Sequence, residues 1–173
     1  SHHWTTLDDE YRPPLCDMSN EGDGSPQHVP NPDADPEVAE AAQFAVAELN
    51  FLRQRQGCAG SEILGLARVN RASQQLSQDV SILLELTLNV TDLDTHRTRR
   101  ELACVTVFER YSEQPPPKSL ATGFFGKGNF SVCSDPSTWG RASVKQRAHG
   151  LGAEEDEASD ATTRLATHRA YRT

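Results

Sequence analysis

From Val80 to Val90 the chain alternates. Val80, Ile82, Leu84, Leu86, Leu88 and Val90 share one face, and Ser81, Glu85, Thr87 and Asn89 share the other. Side chains of a strand point to opposite faces in turn, so this segment reads as a strand with one face on a core and one toward water. Only Leu83 breaks the pattern. A face of six apolar residues needs a partner, and the chain supplies one upstream.

Asp35–Gly57 (DPEVAEAAQFAVAELNFLRQRQG) predicts an amphipathic helix. Asp35 is a good N-cap, because its carboxylate can accept from a free N–H of the first turn. Pro36 falls at the first helical position, where a missing N–H costs nothing. Glu37 and Glu40 lie near the positive end of the helix dipole, and Arg53 and Arg55 near the negative end. Val38, Ala41, Ala42, Ala45, Leu49 and Leu52 recur at three- and four-residue steps, a stripe that is half alanine and lets a partner surface approach closely. Gly57 is a natural stop.

Three more strands are expected, at Glu62–Leu76, Glu101–Tyr111 and Ala121–Cys133. One helix followed by strands with hairpin-like links predicts an α+β fold, with the helix packed on an antiparallel sheet. The link Gln75–Asp79 is short. The link Ser112–Leu120 carries Pro115-Pro116-Pro117, which cannot donate to a sheet ladder and so reads as a loop of limited freedom. The stretch before residue 35 is rich in Pro, Gly, Asp and Ser and has no period. The expected organisation is an extended or disordered arm over 1–25, a domain over 26–139, and a polar, largely disordered tail over 140–173 with a short helix near Ala161–Ala170.

The net charge of −8 implies no broad basic surface, which argues against nucleic acid as a partner. No apolar run reaches the roughly 18 residues needed to span a bilayer, so no membrane partner is expected. Cys16, Cys58, Cys104 and Cys133 have none of the close spacing of a zinc site, and no metal or cofactor is expected. An even cysteine count suits disulfides in an oxidising compartment. Two sequons agree with a secreted, extracellular chain: Asn89-Val90-Thr91 and Asn129-Phe130-Ser131. Asn89 is expected to point outward from its strand. Arg97-Thr98-Arg99-Arg100 resembles a furin-type cleavage site in a loop, although a solvated basic turn is the preferred reading. Ser1-His2-His3 could hold Cu(II), but an irregular chain end is the better account. No nucleophile elbow, phosphate loop, zinc-protease motif or paired catalytic carboxylates are present, so an enzyme is not expected.

The helix text Phe44-Ala45-Val46-Ala47-Glu48-Leu49-Asn50 resembles the helix signature of the cystatins. Arg68-Val69 through Gln75-Leu76 resembles the strand entering that family's first inhibitory hairpin, and Cys104-Val105-Thr106-Val107-Phe108 its strand opening with a disulfide cysteine. The resemblance covers roughly residues 24–133. It implies a cystatin-like fold, one long helix on a curled antiparallel sheet of four to five strands, including a short arm strand, with flexible N- and C-terminal tails. It implies a Cys104–Cys133 bridge. Cys16 is expected to pair with Cys58 at the helix end or to join another chain. It also implies reversible, competitive inhibition of papain-like cysteine proteases of cathepsin type by a three-part wedge. In this chain the wedge would be Gly24 in the arm, the loop Gln75-Leu76-Ser77-Gln78-Asp79, and Pro115, Pro116 and Pro117. The first loop departs from the family's text, with Ser77 where it has valine and Asp79 where it has glycine. The second loop lacks the family's tryptophan, and Trp139 lies beyond Cys133. The alternative is a non-inhibitory cystatin-like binding or carrier domain, fetuin-like or pro-domain-like, acting on another secreted protein.

Overall fold

A computed structural model describes Cys16 and residues 26–76, 79–124 and 129–140. The helix α1 spans Pro36–Arg55. Asp35 caps it, its Oδ1 accepting from the amides of Glu37 (2.9 Å) and Val38 (3.1 Å). Gly57, at φ 74°, takes the left-handed turn that ends it. All six stripe residues are buried.

The stripe packs on a five-stranded sheet of β1 (Gln27–His28), β2 (Glu62–Leu76), β3 (Val80–Asp92), β4 (Arg97–Glu109) and β5 (Lys118–Ala121). Strand order follows chain order, and each neighbour pair is antiparallel. Asn50 fixes the end of α1 against β2. Its Nδ2 donates to the Leu64 carbonyl and its Oδ1 accepts from the Leu64 amide, both at 2.9 Å. β2 carries register shifts between Leu66 and Arg68 and between Val69 and Arg71, irregularities of the kind that bend a strand.

Four expectations are corrected. First, the face of β3 opposite the helix is not wet along its length: Leu83, Glu85 and Thr87 are buried. Leu83, Leu102, Cys104 and Phe124 form a second small core there with Cys16. Second, the bridges are Cys16–Cys104 and Cys58–Cys133. Cys104 lies opposite Glu85 in the β3–β4 register and so shares its outward face. Cys133 instead follows Phe130 and Val132, which belong to the helix-side core.

Third, the last strand is displaced: it spans Lys118–Ala121, takes Lys118–Leu120 out of the expected loop, and shares only Ala121 with the expected Ala121–Cys133. The chain departs from β5 beyond Ala121, passes Gly123 at φ 144°, and pairs back on itself through the Phe130 amide and the Thr122 carbonyl at 3.1 Å. Fourth, Arg97–Arg100 form the start of β4 and not a loop; the turn is Leu93–His96.

Trp139 is fully buried in the main core. Asp135 caps a 3-10 turn over Pro136–Thr138, accepting from the Ser137 amide at 3.0 Å, and this turn delivers the indole. The ring stacks on Phe130 with centroids 4.8 Å apart, and the Arg53 guanidinium lies 5.5 Å from its centroid. Arg53, itself buried, pairs with Glu62 at 2.9 Å, and Glu62 also holds Arg99 at 2.9 Å.

Replacing Trp139 with Ala removes the indole from a closed site, and a loss of about 3–5 kcal/mol is expected in denaturant unfolding. The Arg53 hydrogen bond, with help from Arg99, lowers the Glu62 carboxyl below its ordinary value of 4.5. A depressed folded-state value gives stability that is present above the unfolded value and lost as pH falls through the folded one. Glu62→Gln is therefore expected to lose less stability than the parent between about pH 5 and pH 3, read as the shift in unfolding midpoint.

Candidate functional site

Register fixes which loops meet. Leu76 is paired with Val80, Val80 with Glu109, and Glu109 with Lys118. Gln27 is paired with Gln74 in antiparallel sense, so the chain arrives at β1 from the same side. The end of β2 with the start of β3, the β4–β5 link and the start of β1 therefore share one end of the sheet. The N-terminus of α1 is there too. Gln74 Nε2 donates to Glu37 Oε2 at 2.9 Å, and Lys118 Nζ to Glu40 Oε1 at 2.7 Å. Lys118 holds the Glu40 carboxyl below its ordinary range, first through that hydrogen bond and then by its charge.

Two large apolar side chains stand out at this end, Leu76 at 66% and Tyr111 at 42% exposure. The Tyr111 hydroxyl is pushed up to about 12, mainly by burial of the phenol, then by the carboxylates of Glu109 and Glu37. The β4–β5 link is closed by the Arg110 amide donating to the Pro117 carbonyl at 3.2 Å. Pro115, preceded by a cis peptide bond, is exposed, and Pro116 and Pro117 are half-buried.

Of the residues singled out in sequence, Gln75 and Asp79 are partly exposed and flank Leu76 at this end, with Pro115–Pro117 on the neighbouring link. Gly24, Ser77 and Gln78 lie outside the described residues, as do the chain ends with His2, His3 and the tail. Asn89 is partly exposed on β3. Asn129 is buried with both side-chain amide atoms unpartnered, a geometry with no room for a glycan. Sequence reasoning missed Tyr111, which it absorbed into a strand, and the helix carboxylates that brace this end. The signal for Tyr111 was an aromatic residue directly before a proline-rich link.

The arrangement presents Leu76, at the end of β2, and Tyr111, in the β4–β5 link, as exposed apolar side chains at one end of the sheet. Among the described residues, no group of three or more His, Cys, Asp or Glu is placed to hold a metal ion, and no helix is long and apolar enough to cross a membrane.

Ultraviolet titration of the phenols checks the geometry at Tyr111. One tyrosine is expected to ionise late, near 12, and Tyr111→Phe removes that late phase. Glu109→Gln is expected to bring it to lower pH, because one carboxylate opposing the phenolate is gone.

The chain matches no protein-family model, no curated protein and no solved structure.

Proposed function

We propose that this chain is a secreted, cystatin-like inhibitor that inserts the hairpin end of its sheet into the cleft of a papain-like cysteine protease. The observation that carries the reading is the meeting of three parts of the chain at one sheet end: the start of β1, the end of β2 at Leu76 opposite Val80, and the proline-rich link before Lys118. Such an end is braced on both sides, by β-pairing and by the Glu37–Gln74 and Glu40–Lys118 contacts of α1. Side chains carried on braced strand ends lose little entropy on binding, so a modest apolar contact through Leu76 and Tyr111 gives useful affinity. The two disulfides fit an oxidising compartment.

A second reading, a non-inhibitory binding domain of the same fold, is favoured by Asp79. Its carboxylate stands where the resembled loop has glycine, and burying it against an enzyme costs desolvation.

Titration of papain activity separates the two. The first reading expects stoichiometric loss of activity, weakened about tenfold by Leu76→Ala and strengthened by Asp79→Gly. No inhibition at micromolar concentration by either the parent or Asp79→Gly removes the protease reading and leaves the second.

A further inference from the structure

The outer face of the sheet is divided. One half is occupied by Cys16, Leu83, Leu102, Cys104 and Phe124. Among the described residues nothing covers the other half, around Ile63, Gly65, Asn89 and Arg100: Ile63 and Arg100 are exposed and Asn89 is partly exposed. Asn89 sits there on the face opposite α1, between Gly65 and Arg100 in register. Gly65 has no side chain to crowd it, and a Cβ built there would meet only the Asn89 carbonyl, at 4.0 Å.

We propose that Asn89 carries an N-linked glycan that covers this open half, and that Asn129 carries none in the folded protein. The Asn89-Val90-Thr91 sequon supplies the amide and the hydroxyl residue that transfer requires. The donor is a polyprenyl-diphosphate oligosaccharide. A bond forms between Asn89 Nδ2 and the anomeric carbon while the bond from that carbon to the diphosphate oxygen breaks. The amide gives up one proton, and polyprenyl diphosphate leaves with the electron pair. β3 is flanked by β2 and β4, so transfer precedes sheet closure, and the folded face then has room for the product.

The second sequon differs. Asn129 is buried, its neighbour Phe130 stacks on Trp139, and Ser131 Oγ accepts from the Cys133 amide at 3.2 Å. A glycan there would pull this segment off the core and away from the Cys58–Cys133 bridge. Asn89 lies nine residues along β3 from Val80, roughly 30 Å at strand spacing, so its attachment point is far from the hairpin end. The inference rests on passage through a secretory route and not on protease inhibition.

The test is expression of the full chain behind a secretory leader in eukaryotic cells. Peptide mapping follows enzymatic deglycosylation in ¹⁸O water, on the medium and on the endoplasmic-reticulum fraction alike. The expected result is label at residue 89 and none at 129 in protein with both disulfides formed. Asn89→Gln and Thr91→Val each remove the glycan, and Asn129→Gln retains it. Thr91→Val keeps a β-branched residue in the strand, so it tests occupancy even if Asn89→Gln folds poorly. Disulfide-bonded protein with a bare Asn89, or with the glycan on Asn129, overturns the proposal.

Discussion

Strand β3 is covered on both faces for most of its length, and this burial governs the arrangement of the rest. Its even-numbered residues from Val80 to Val90 belong to the helix-side core, while Leu83, Glu85 and Thr87 are buried on the opposite face. A slip of one residue would exchange Leu84 for Glu85 and carry a carboxylate into the helix-side core. Glu85 is fully buried and satisfied on one oxygen by Arg71 at 2.7 Å. Arg71 also donates to the Cys16 carbonyl at 2.6 Å. Such a pair adds little net stability, yet breaking it strands a buried charge, so it penalises wrong register more than it rewards the right one.

The two cores are joined through the sheet. On the helix side, alanines allow α1 to lie close, and Trp139 fills the space beside Phe130 and Arg53. From Arg53 the contacts run to Glu62, then Arg99, then Glu101 at 3.1 Å, tying the end of α1 to β2 and β4. These braces sit at the end of the sheet away from Leu76 and Asp79. The hairpin end is braced separately, by the Glu37–Gln74 and Glu40–Lys118 contacts.

Much of the fold was legible because it rests on local periodicity. The Asp35 cap, the helix stripe, β2 and the core of β3 all follow from spacing alone. The outer core was not, since its cover comes from Cys16, far away in sequence. Leu83, the one break in the alternation, was its only local trace. Trp139 was placed at the domain's last position and weighed only as lying beyond the second loop, because a lone aromatic after the last cysteine carries no period to mark it as core. Yet Asp135-Pro136 repeats the Asp35-Pro36 signal that opens α1, and the same capping chemistry operates at both. Strand β5 was placed too late in sequence, because the prolines masked Lys118–Leu120 and the return of Phe130 to Thr122 depends on a tertiary contact. At the candidate site, the loop residues could be named in sequence, whereas Tyr111 and its neighbouring carboxylates became visible only once the helix was docked.

The two disulfides interleave along the chain, Cys16 to Cys104 and Cys58 to Cys133. Their spans of 88 and 75 residues overlap without either containing the other. Scission of any single peptide bond from Cys16 to Cys133 therefore leaves at least one sulfur link across the gap. At Arg97–Arg100, where the basic run lies exposed at the start of β4, both links would span the break. A molecule built this way can be severed once between its outermost cysteines and still persist as one covalent particle.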